Sequence, residues 1–126
     1  MKRILLAEDE ILIRSSLARA LQKDGYLVME AKDYTEALEF LRSDGCDLAI
    51  VDLYLEDGMH GLKLIPEIHR KSPEAKIIVI SAFGTPEIKE EAMMEGIDRF
   101  FDKPFEIMDV RKAVRELLPE IDLRMG

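Results

Sequence analysis

Residues 47–58 read DLAIVDLYLEDG. Leu48, Ala49, Ile50 and Val51 form an unbroken apolar run, and Asp52 ends it. A strand with one wet face alternates apolar and polar residues, whereas a run without alternation fits a strand covered on both faces. The same texture recurs as RILLA at residues 3–7 and KIIVIS at residues 76–81. Such strands predict a parallel sheet with helices packed on each side. A core strand that ends in a carboxylate then needs a reason.

Outward from this stretch, strand and helix patterns take turns. Tyr26–Met29 predicts a second strand that Glu30 ends, and Asp98–Asp102 holds a short fifth one around Phe100 and Phe101. Ile13, Leu17, Ala20 and Leu21 recur at helical spacing, with Gly25 as a stop. Thr35–Ser43 places Ala37, Leu38 and Leu41 on one side. The segment Gly61–Lys71 is helical, with Pro66 either in the first turn of a helix that starts late or at a kink. Thr85 predicts an N-cap with Pro86 at the first helical position, opening a helix that runs to Gly96. Glu106–Leu118 is the last helix, with Ile107, Val110, Val114 and Leu117 on its apolar side and Pro119 closing it. Five β-α units predict an open α/β sheet and are too few for an eight-fold barrel.

The chain has 126 residues, which suits one domain over residues 1–119, with 120–126 as a tail or the start of a linker. Its apolar runs are too short to cross a membrane, and MKRILLAEDE is too short and too soon acidic for a signal peptide. Cys46 is alone, which excludes an internal disulfide and makes the reducing cytoplasm the expected compartment. A net charge of −8 argues against direct nucleic-acid binding.

In an open parallel sheet, ligands bind beyond the carboxyl ends of the strands. Glu8, Asp9 and Glu10 follow the first strand, Asp52 ends the third, Ser81 ends the fourth, and Lys103 and Pro104 follow the fifth. Alone, each has an ordinary role as helix-start acid, turn acid, loop serine or surface lysine. Together they put carboxylates, a hydroxyl and an ammonium on one rim. Two carboxylates about 4–5 Å apart repel by roughly 3–4 kcal/mol at an effective dielectric near 20. A divalent ion with oxygen ligands offsets that, and Lys103 can neutralise one acid or hold a phosphate oxygen.

The blocks LLAEDE, IVDLYL, VISA and FFDKPF, in this order and spacing, resemble the response-regulator receiver domain of bacterial two-component signalling over about residues 2–118. The resemblance implies a single flavodoxin-like (βα)5 domain with strand order 2-1-3-4-5. It implies that Asp52 is the phosphoacceptor, that a sensor histidine kinase is the donor, and that Glu8, Asp9, Asp52 and the backbone carbonyl of Tyr54 hold Mg²⁺. Glu10 falls outside the acidic pair and is expected to be a helix-start acid. Ser81 and the Ala82 amide would meet the phosphoryl group, as would Lys103, followed by a cis bond to Pro104. Phe100 occupies the aromatic switch position. The implied role is a signalling switch, with no catalysis beyond its own phosphorylation and dephosphorylation. It would reshape the face of the fourth helix, fifth strand and fifth helix for a downstream effector or a phosphorylation-dependent homodimer.

The sequence departs from the family at several points. The loop after Asp52 has Glu56 where proline is usual, and Gly61 comes nine residues on instead of eight, as if one residue were inserted. Glu56 and Asp57 add negative charge there. Phe100 lacks the hydroxyl of a tyrosine, and Arg99 stands where a DNA-binding subfamily has an acid used in its dimer. Tyr54 and Phe83 are bulky enough to shield an acyl phosphate, which predicts slow self-dephosphorylation. Three rivals fit less well. A magnesium phosphatase with an Asp nucleophile needs a second acid where Tyr54 stands. A nucleotide or flavin binder needs a Gly- or hydroxyl-rich loop where AEDE repels phosphate. A module that is never phosphorylated leaves the filled site without purpose. His60 and His69 are expected to be surface residues.

Overall fold

In the computed structural model, which describes residues 1–56, 58 and 60–119, the apolar runs are five parallel strands. They are β1 (Arg3–Ala7), β2 (Leu27–Ala31), β3 (Leu48–Asp52), β4 (Lys76–Ser81) and β5 (Arg99–Asp102), in spatial order β2-β1-β3-β4-β5. The helices are α1 (Ile11–Lys23), α2 (Tyr34–Ser43), α3 (His60–Lys71), α4 (Pro86–Met94) and α5 (Ile107–Leu117). The tail 120–126 and Asp57 lie outside the described residues. Among the described residues no helix is long and apolar enough to cross a membrane.

Each strand sends alternate residues to opposite faces. Ile4, Leu6, Leu48, Ile50, Ile78 and Ile80 pack with Leu17 and Leu21 of α1 and with Val110 and Val114 of α5. Leu5, Ala49, Val51, Ile77 and Val79 pack with Leu41 of α2 and with Leu64, Ile65 and Ile68 of α3. Both faces of β1, β3 and β4 are therefore dry, which is why their sequences do not alternate.

One expectation needs correcting, and one open alternative is decided. β2 continues through Glu30 to Ala31, because on this edge strand the Glu30 side chain faces water while Ala31 returns to the core. Its carboxylate pairs with Arg14 of α1 at 3.5 Å. Of the two alternatives for Pro66, the late start is excluded: α3 starts at His60, close to the expected Gly61, and runs through Pro66. Pro66 sits on the exposed side, where the missing N–H faces solvent, while Gly61, Leu64, Ile65 and Ile68 bury the other side. That burial, roughly 1.5–3 kcal/mol for each large side chain, outweighs the proline penalty of about 3 kcal/mol.

Gly61 fixes how α3 meets the sheet. Its N–H donates to the Leu53 carbonyl at 3.1 Å, and a Cβ there would collide with the Asp52 carbonyl and the Leu53 Cα. The first turn of α3 thus lies directly on the backbone that carries Asp52.

Candidate functional site

β1, β3, β4 and β5 end at the same edge, as the register pairs Ala7 with Val51, Asp52 with Ile80, and Ser81 with Asp102. Asp52 is 2% exposed. One of its oxygens accepts from the Tyr54 N–H at 2.9 Å, and the other accepts from Lys103 Nζ at 2.8 Å. Lys103 is held from below by its own N–H, which donates to the Ser81 carbonyl at 2.8 Å. The Lys103–Pro104 peptide is cis, as the resemblance implies.

Glu8 is wholly buried. Its Oε1 accepts from the Glu10 N–H at 2.9 Å, while Oε2 lies 3.0 Å from Lys103 Nζ but outside hydrogen-bonding geometry. Burial penalises the charged carboxylate and pushes Glu8 up to about 7, with the nearby Asp52 charge adding to the effect. Burial alone would lower the Lys103 value, but hydrogen bonds to Asp52 and Glu10 and the Glu8 carboxylate 3.0 Å away outweigh it and hold the ammonium above the ordinary lysine range. One cation therefore serves three carboxylates.

Oxygens of Glu8, Glu10 and Asp52 lie within 4.8 Å of one another. This all-oxygen set, under-neutralised and with one buried oxygen lacking a hydrogen bond, fits a hard divalent cation such as Mg²⁺. Asp9 is not in that group. It is exposed, and its carboxylate accepts from the Glu56 N–H at 3.3 Å. Glu56, at φ +54°, in turn accepts from the Tyr34 N–H at the start of α2 through its own carboxylate at 2.8 Å. The lengthened loop after β3 is thus tied to both Asp9 and α2. Tyr54 is half-buried, its backbone fixed beside Asp52 by the N–H it donates.

Ser81 is fully buried, with Oγ accepting from the Phe83 N–H at 3.1 Å; Ala82 is exposed. Tyr54 and Phe83 meet edge to face at 4.8 Å between ring centroids. Phe100 is half-buried against the α2–α3 side of the core, with Lys89 Nζ 5.5 Å above its ring. The histidines are half-buried and not simply on the surface. His60 lies 6.5 Å from the Tyr34 ring, and His69 Nε2 is 2.8 Å from the Glu95 carbonyl.

Sequence reasoning passed over two participants. Glu10 does stand at the start of α1, yet its side chain makes no cap there and instead accepts from Lys103 at 2.8 Å. Its position beside two other acids was the available signal. Glu56 acts as a strut across the rim, which the missing proline and the longer loop could have suggested.

The family model described as response regulator receiver domain matches residues 4–115. Sporulation initiation phosphotransferase F of Bacillus subtilis is 28% identical over 118 residues, covering 94% of each chain. Transcriptional regulatory protein PdtaR of Mycobacterium tuberculosis is 38% identical over 114 residues, which is 90% of this chain. The match is 55% of that protein, so the chain spans about half of its length. A response regulator from Burkholderia pseudomallei, solved with a phosphorylated aspartic acid, a calcium ion and citrate, matches with a TM-score of 0.81 at 26% identity. That match covers 98% of this chain and 78% of the other.

Proposed function

The chain belongs to the response regulator receiver domain family, and on that premise we propose that Asp52 accepts a phosphoryl group from a sensor histidine kinase. The observation that carries this reading is a carboxylate 2% exposed at the end of a core strand, ion-paired to a lysine whose side chain is 9% exposed, with the buried Ser81 at the end of the next strand. A related response regulator holds a phosphorylated aspartic acid, which supports the same chemistry here.

In the proposed step, an Asp52 carboxylate oxygen attacks phosphorus in line. A P–O bond forms as the P–N bond to the kinase histidine breaks, and the imidazole leaves with the electron pair. Lys103 passes from Asp52 to a phosphoryl oxygen, as a point charge that follows the new anion. The Ser81 hydroxyl and the Ala82 amide supply donors on the β4 side. Glu8, Asp9, Asp52 and the Tyr54 carbonyl are the proposed Mg²⁺ ligands; one Asp9 oxygen accepts from the Glu56 N–H and the other is free to face a cation. Bound Mg²⁺ would neutralise charge on the transferring oxygens.

Ser81 turning toward the phosphoryl group opens space for Phe100, and α4, β5 and α5 reshape for an effector or a second copy of the chain. The chain is a cytoplasmic signalling switch with no catalysis beyond its own phosphorylation and dephosphorylation. The expected mass change is a gain of one phosphoryl group on incubation with Mg²⁺ and acetyl phosphate, lost in Asp52→Asn and with chelator. An Asp52→Asn chain that gains the same mass would refute the assignment. The Tyr54–Phe83 pair beside Asp52 screens the acyl phosphate from water, so replacing both with small polar residues should speed its hydrolysis several-fold. Unchanged decay of the phosphorylated mass would remove that role.

A further inference from the structure

Glu10 occupies the N-cap position of α1 without using its side chain as a cap. The carboxylate turns instead to Lys103, 93 residues away in sequence, at 2.8 Å. Its surroundings differ from those of the two other acids on that ammonium. Glu8 and Asp52 have side chains 0% and 3% exposed, whereas the Glu10 side chain is 59% exposed. Buried carboxylates left without a partner cost several kcal/mol, but a rim carboxylate is readily solvated by water. Of the three partners, Glu10 is the one that Lys103 gives up most easily.

We propose that Glu10 is a positioning residue that acts through Lys103, holding the ammonium toward the rim and competing for it with a phosphoryl group on Asp52. This rests on the phosphoacceptor reading of Asp52. An aspartyl phosphate brings nearly two negative charges and three acceptor oxygens. Lys103 must reach them from a position already shared among three carboxylates. In the resting state one ammonium lies within 3.0 Å of three carboxylates, so its single charge is divided among more acids than it can neutralise. Releasing Glu10 is therefore part of the cost of the phosphorylated state, and the residue sets how far the resting state is favoured.

The test titrates beryllofluoride, a phosphoryl mimic, into the full chain at saturating Mg²⁺, followed by the backbone amide signals of Ser81 and Lys103. Glu10→Gln removes the charge and leaves only a neutral acceptor for the ammonium. Glu10→Asp keeps the charge but is one methylene too short to hold the ammonium. The expected result is binding about fivefold tighter in Glu10→Gln, the scale of a rim-exposed ion pair, with Glu10→Asp shifted the same way. Unchanged affinity in Glu10→Gln overturns the proposal. So does a Glu10→Asp chain that behaves as the parent while Glu10→Gln tightens, since charge alone would then act. A parent chain that neither binds beryllofluoride nor gains phosphoryl mass refutes the phosphoacceptor reading itself, and the proposal with it.

Discussion

Helices α1 and α4 each follow a strand that ends at the site, yet they pack on opposite faces of the sheet and are held very differently. α1 sinks Leu17, Ala18 and Leu21 into the core, and its C-terminal Asp24 makes two hydrogen bonds to Arg111 of α5. α4 buries only Ala92. It is held near one end by Lys89, whose ammonium is 2.8 Å from Asp102, and at the other by His69 reaching the Glu95 carbonyl. Apolar burial of one helix and polar ties on the other place the low-cost motion on the α4 side. That is the side on which Phe100 sits and on which the proposed switch must act.

The sharpest contrast comes from truncating an apolar side chain on each helix. Leu17 is fully buried, so Leu17→Ala should cost about 3 kcal/mol of unfolding free energy. Ile88 of α4 is only half-buried, so Ile88→Ala should cost about 1 kcal/mol. Urea unfolding of both variants gives the comparison directly, and equal costs would erase the distinction between the two helices.

The α1–α5 tie has a pH signature. The Arg111 guanidinium holds the Asp24 carboxyl below its usual range. A carboxyl depressed in the folded state adds stability that is present above its unfolded value, near 4, and is lost as pH falls through the lower folded value. Arg111→Met should therefore weaken the chain at pH 7 and leave it little changed at the acid end of that window. A penalty that stays constant down to pH 2 would mean that Arg111 works by packing alone.

How much of this was legible in the sequence follows from the same physics. The core strands were plain because both faces are dry, so Leu48–Val51 and Ile77–Ile80 carry no competing pattern. The edge was harder. Glu30 looked like a terminator because nothing local says that β2 has one wet side there. Pro66 leaves a late start and a kink both open in the sequence because its cost is local, while the burial that offsets it comes from Leu64, Ile65 and Ile68 meeting the sheet. At the rim, Asp52, Glu8, Ser81 and Lys103 converge as their places after the strands require. The partner of Glu10 was not legible, because a helix-start acid and an acid facing Lys103 have the same sequence signature. Only the closure of β5 beside β4, bringing Lys103 across to β1, separates the two.

The smallest expected effect is the most specific to α4. Lys89 pairs with Asp102 through side chains 42% and 55% exposed, and its ammonium stands over the Phe100 ring. Exposed pairs and surface cation–π contacts are each worth less than about 1 kcal/mol. Lys89→Met keeps the aliphatic stem and removes the charge, so global unfolding should move by less than about 1 kcal/mol. Amide exchange should localise the change: protection in α4 falls a few-fold, while α1 keeps its own. The reason is that α1 amides open only with the core, whereas α4 amides open when its end ties release. If α1 and α4 lose protection together, the two helices belong to one cooperative unit, and the weak anchoring of α4 is not what lets the Phe100 side of the domain move.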